Sequence, residues 1–85
     1  MVEKIFVGNV SHFFAKPSVA VVELEAVLKS GDKISIERGD EVFEQTVNSM
    51  QIEHENIQEA KPGQSIGLKV EQATKQGAKV FKVIE

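Results

Sequence analysis

Cysteine is absent from this 85-residue chain, which excludes disulfides, thiolate metal sites and cysteine nucleophiles. Tryptophan and tyrosine are absent too. Five phenylalanines are the only aromatic residues, so few rings are on offer to stack nucleic-acid bases. The longest apolar run, Val19-Ala20-Val21-Val22, falls far short of the roughly 18 residues that cross a bilayer, so no membrane association is expected. No basic stretch followed by a long apolar segment opens the sequence, and residence in the cytoplasm is the expectation. A glycine-rich loop of the G-x-x-x-x-G-K-[ST] form is missing, which excludes a bound nucleotide of the P-loop kind and hydrolysis of GTP. A basic excess is missing as well: ten Lys and Arg against thirteen Asp and Glu leave a net charge of -3. That sign is wrong for a protein that holds nucleic acid mainly by neutralising phosphates.

What remains is an ordinary globular composition, 41% hydrophobic and 27% charged, in a chain long enough for one domain over residues 1–85. Charge is segregated along it. Glu37, Asp40, Glu41, Glu44, Glu53, Glu55 and Glu59 face Arg38 alone, whereas Lys61, Lys69, Lys75, Lys79 and Lys82 crowd the last third. Solvated strand faces and loops account for both groups most simply.

Period-two alternation dominates, and helical periodicity is scarce. Val2 to Phe14 reads as one long strand or two short ones, broken by Ala15-Lys16-Pro17-Ser18 because proline fixes φ and pushes Lys16 out of helical space. Val19 to Glu25 is a β-branched strand. Ser30-Gly31-Asp32 turns the chain into Lys33 to Glu37, with Ile34 and Ile36 inward, and Arg38-Gly39-Asp40 forms a hairpin connection. Glu41 to Ile52 changes parity midway: Phe43, Gln45 and Val47 share one face and Met50 and Ile52 the other. A bulge near Asn48-Ser49 would restore a single inward face. Glu55 to Ala60 reads as a polar loop. Lys61-Pro62-Gly63-Gln64 fits a type II turn with glycine at the positive-φ position. Ser65 to Val70, with Gly67 mid-strand, and Lys79 to Ile84 complete the set, joined through Thr74 to Gly77. The pattern predicts an all-β fold, a small closed antiparallel β-barrel of six or seven strands, since closure removes exposed edges.

Several segments resemble the second domain of translational GTPases such as elongation factor Tu and bacterial initiation factor two. They are Val27-Leu28-Lys29-Ser30-Gly31-Asp32-Lys33-Ile34-Ser35-Ile36, then Val47-Asn48-Ser49-Met50-Gln51-Ile52, then Glu59-Ala60-Lys61-Pro62-Gly63-Gln64-Ser65-Ile66-Gly67-Leu68, and the closing Lys75-Gln76-Gly77-Ala78-Lys79-Val80. The resemblance spans roughly residues 19–84 and extends to small stand-alone elongation-factor-like proteins. It implies a translation-factor barrel whose strand at Gln51 and His54 lies beside RNA. Gln51 stands where an acid is common in elongation factor Tu, and His54 stands near a family arginine.

Candidate functional residues follow from chemistry and from that resemblance. No catalytic group is assigned: His12 and His54 lack partners in the sequence, and on a strand His54 faces away from Glu53 and Glu55, so no metal site and no cofactor is expected. Phe13 and Phe14 are adjacent, so in a strand one ring must point away from the core. With Lys16 beside them that ring could stack a base or meet a partner. Lys75, Lys79 and Lys82 could reach phosphates. Gly31, Gly39, Pro62, Gly63, Gly67 and Gly77 are assigned to turns and bends. The expected function is non-enzymatic binding, as an accessory to translation or RNA modification that contacts tRNA, rRNA or a ribonucleoprotein. The alternative is a protein-docking domain that joins a larger enzyme, for example a collagenase-like peptidase, without touching nucleic acid.

Overall fold

Alternation of aliphatic and polar residues over most of the chain leaves only strands as elements, and strands are what form. The computed structural model describes residues 3–16, 18–52 and 55–84. Ten strands follow in order: β1 (Glu3–Phe14), β2 (Val19–Leu24), β3 (Leu28–Lys29), β4 (Lys33–Arg38), β5 (Glu41–Thr46), β6 (Met50–Ile52), β7 (Glu55–Ile57), β8 (Glu59–Ala60), β9 (Ser65–Lys69) and β10 (Lys79–Ile84). Eight of them make one antiparallel sheet in the order β5-β4-β10-β1-β2-β9-β6-β7, while β3 and β8 pair separately. Among the described residues no helix is long and apolar enough to cross a membrane.

The core is aliphatic. Val7, Val10, Val22, Leu28, Ile34, Ile36, Val47, Met50, Ile66, Leu68 and Val80 are fully buried, and Phe13 and Phe43 pack against them half-buried. Each such side chain contributes about 1.5–3 kcal/mol relative to exposure. The small β3–β8 ladder covers the core with Leu28 and Ala60, both buried.

Strand β1 organises the rest, pairing with β10 on one side and β2 on the other. It carries two bulges, between Phe6 and Gly8 and between Val10 and His12. Each bulge adds a residue, so the inward side chains Val7, Val10 and Phe13 recur every third position instead of every second, and the strand coils. Gly8 lies tight against the β2 backbone: a Cβ there would overlap the carbonyl oxygen of Glu23. At Lys61-Pro62-Gly63-Gln64, Gly63 has φ +89° and the Gln64 amide donates to the Lys61 carbonyl at 3.2 Å, which is a type II turn.

The expected closed barrel of six or seven strands is corrected in three respects. First, residues 41–52 are two strands, not one bulged strand. β5 pairs with β4 while β6 pairs with β9 and β7, and irregular residues 47–49 carry the chain from one end of the sheet to the other. Second, the segment read as a loop at 55–60 supplies β7 and β8. Third, among the described residues no backbone ladder joins end strand β5 to end strand β7, so the sheet is not closed by strand pairing.

A side chain spans the opening instead. Gln45, only 6% exposed, points inward from β5, donates through Nε2 to the Lys69 carbonyl at 2.9 Å and accepts at Oε1 from the Glu71 amide at 2.7 Å. Those two backbone groups flank Val70, so the glutamine amide substitutes for the peptide group of a missing neighbour strand. Just before β4, the Asp32 carbonyl accepts from the Val47 amide at 2.8 Å, the Gly31 amide donates to the Val47 carbonyl at 2.8 Å, and Asp32 Oδ2 accepts from the Lys29 amide at 2.9 Å.

Candidate functional site

Burial alternates along β2 and β9, and the side chains turned away from the core define the outer face. Over β1, β2, β9, β6 and β7 the ladders align two rows of them. One row runs Phe14, Val19, Lys69; the next runs His12, Val21, Gly67, Gln51, Asn56. Contacts confirm a shared side. The His12 and Phe14 rings meet at a tilt of 57° with their centroids 4.4 Å apart, Gln51 Nε2 donates to Asn56 Oδ1 at 3.1 Å, and Val19 Cγ1 lies 3.3 Å from where a Cβ on Gly67 would stand.

Because Gly67 has no side chain, the face dips there. Val19, Ser49, Gln51, Gly67 and Lys69 line a cleft of about 350 Å³. On its far side Phe14 is 49% exposed, while Val19 and Val21 are half-buried. The result is an apolar strip bordered by amides and by the ammonium of Lys69. Such a surface binds by shape, apolar contact and charge. Among the described residues no group of three His, Cys, Asp or Glu side chains converges.

The predicted contact residues do not form one site. Phe14 and Gln51 belong to this face, with Lys16 in the exposed turn after Phe14. Phe13 turns inward against the core. His54 lies outside the described residues. Lys79 and Lys82 stand on β10, separated from β9 by β1 and β2. Lys82 pairs with Asp32 at 3.4 Å with only a quarter of its side chain exposed, and Lys79 stands opposite Glu37 of β4. Lys75 is on the exposed loop before β10. Lys75, Lys79 and Lys82 are therefore dispersed among acids and not gathered beside Gln51, which leaves no continuous track for a phosphate backbone among the described residues.

Elsewhere on the outer face, Glu37 accepts from Lys4 Nζ at 2.7 Å and from the Ser35 hydroxyl at 3.0 Å. The Lys4 ammonium first, and the Ser35 hydroxyl next, hold its carboxyl below the ordinary glutamate value of 4.5. This pair is structural and lies apart from the cleft. Sequence reasoning missed Val19, Val21 and Lys69 as members of the face. A signal existed in Val19-Ala20-Val21-Val22, where apolar residues occupy both parities, as in strands covered on both sides.

No family model matches the chain. An uncharacterized protease of Methanocaldococcus jannaschii is 39% identical over 83 residues, which is 96% of this chain; the chain spans 20% of that relative's length. Among solved structures, the C-terminal domain of a Geobacillus thermoleovorans protein assigned to the U32 peptidases superposes with a TM-score of 0.85 at 21% identity. That match covers 92% of this chain and 91% of the domain. Its selenomethionine variant gives 0.83 at 20% identity, with 88% and 95% covered. At those identities the likeness is one of fold. These findings replace the resemblance to the second domain of translation factors and leave the translation and RNA-binding expectation that followed from it without support: these relatives are a protease and a C-terminal domain of a U32 peptidase. The glycine segments that suggested translation factors mark turn and bend positions, which small antiparallel folds in general share.

Proposed function

We propose that this chain is a non-catalytic docking module of a peptidase-family protein, held against a larger catalytic body. The observation that carries this reading is the proportion of the match: 96% of the chain aligns to one-fifth of a protease-named relative, so four-fifths of that relative has no counterpart here. The fold agreement with a C-terminal domain, a unit appended to a larger protein, supports the same reading. Inter-domain surfaces of such proteins resemble transient interfaces, partly apolar and partly polar, and the outer face around Gly67 has that character.

The test is a graft. This chain replaces the matching fifth of the Methanocaldococcus jannaschii relative, and unfolding of the chimaera is followed by calorimetry beside the free chain and the truncated relative. A docked module melts together with the body, or at a higher temperature than the free chain. Two transitions at the temperatures of the separate pieces would overturn the proposal. The free chain is expected to hydrolyse no peptide.

A further inference from the structure

We infer that the cleft over Gly67 receives an acidic, aliphatic segment of the partner protein, with Lys69 as its charge anchor and the Phe14–Val19–Val21 strip as its apolar floor. The inference rests on the docking reading and deepens it by naming the surface and the chemistry of what it meets.

Charge carries the argument. The chain has three more acids than bases, yet among the described residues no carboxylate occupies the outward positions of the two rows from Phe14 to Asn56. The first acid along β2 is Glu23, one outward position beyond Val21. Four lysines elsewhere are matched by carboxylates of this chain: Lys4 by Glu37, Lys29 by Glu59, Lys33 by Glu44 and Lys82 by Asp32. Lys69 lines the cleft with no such pair among the described residues, beside the Gln51 amide and Ser49. A carboxylate placed between Lys69 and Gln51 would gain one ammonium and an amide donor.

Apolar surface supplies the rest. Phe14 is among the most exposed large hydrophobic residues of the chain, and it continues into half-buried Val19 and Val21. An exposed apolar strip flanked by a cation is complementary to a segment that alternates acidic and aliphatic residues. Gly67 provides the depth, because any side chain there would lean on Val19 and fill the cleft. Single-stranded RNA is the rival occupant. It is disfavoured because the face presents few cations, and Lys79 and Lys82 stand among acids on β10, beside the Glu3–Asn9 half of β1 and not beside His12 and Phe14.

The experiment titrates the isotope-labelled chain with three probes and follows its amide NMR signals. The probes are a short peptide alternating Glu and Leu, its Lys–Leu counterpart, and oligouridine. The acidic peptide is expected to shift the amides of Phe14, Val19, Gly67, Lys69 and Gln51 and to leave Lys79 unmoved. Lys69→Glu should weaken it about tenfold, whereas Lys79→Glu should leave it unchanged. Both variants should melt with the parent, which separates lost affinity from lost fold. Equal binding of the Lys–Leu peptide, shifts confined to another face, or saturable oligouridine binding at this face without the acidic peptide would each overturn the inference. If the graft couples to its host while the acidic peptide fails here, docking stands and this surface is wrong. If the graft does not couple, the docking reading itself fails.

Discussion

Replacing Gln45 by leucine keeps a side chain of similar volume and removes both hydrogen bonds that cross the opening between β5 and β9. Its 6% exposure means that the amide gives up nearly all contact with water, and the two partners sit at 2.9 and 2.7 Å. The variant leaves the Lys69 carbonyl and the Glu71 amide without their partner, and a buried polar group stripped of its bond costs about 1–3 kcal/mol. Extra apolar burial by leucine offsets part of this, so the expected net loss is about 2–4 kcal/mol. For a domain of this size that lowers the melting temperature by roughly 10–25 °C.

Calorimetry and urea unfolding measure the loss directly. Gln45→Glu adds an independent check. One carboxylate oxygen can still accept from the Glu71 amide, but the other meets the Lys69 carbonyl, acceptor against acceptor. Only the protonated acid restores the donor, so folding raises this carboxyl's pKa. Its stabilising contribution is then complete below the unfolded carboxylate pKa and is lost as pH rises through the folded value. A leucine variant that loses less than about 1 kcal/mol would refute the reasoning, since water or backbone would then be closing the seam without the amide.

Three further outcomes follow from the same geometry. Gly8→Ala forces a Cβ into the Glu23 carbonyl and must part β1 from β2, so it should cost about 2–3 kcal/mol in urea unfolding. Gly67→Ala meets the Val19 side chain at 3.3 Å and the Gln51 carbonyl at an ordinary contact distance of 3.8 Å, and should stay within about 1 kcal/mol of the parent. Lys4→Ala should return the Glu37 carboxyl toward its ordinary value, read by NMR titration. Since folding lowers that pKa, the pair's contribution, under about 1 kcal/mol at this partly exposed site, is present above the unfolded carboxylate pKa and disappears as pH falls through the folded one. Gly63→Ala places a Cβ at φ +89° and should destabilise by about 1 kcal/mol, and Gly63→Asn by less.

Local chemistry made much of the fold legible. Ile34 and Ile36 alternate with polar neighbours and form β4, Ile66 and Leu68 do the same in β9, and proline followed by glycine at 62–63 makes its turn. These features depend on a few consecutive residues. The bulges of β1 were invisible because they arise where one strand must serve two partners at once, β2 next to it in the chain and β10 at the far end of the sequence. Residues 55–60 read as loop because their strands are short and polar. β7 holds onto β6 by register at an edge, and β8 is fixed by burying Ala60 against the core beside Leu28.

The candidate face shows the same division. Adjacency alone required one of Phe13 and Phe14 to point outward, but which one depends on the second bulge, between Val10 and His12. Gln51 and Lys69 are far apart in the chain and share a cleft only because β6 docks on β9. Alternation and turn residues therefore determined that the chain is β throughout and where it reverses, since φ preferences and side-chain period act over two to four residues. Tertiary pairing alone decided that the sheet stays unclosed with Gln45 across its seam, and that Phe14, Gly67 and Lys69 meet on one side. Those outcomes depend on which backbone groups and buried surfaces remain unsatisfied once the distant strands have found each other.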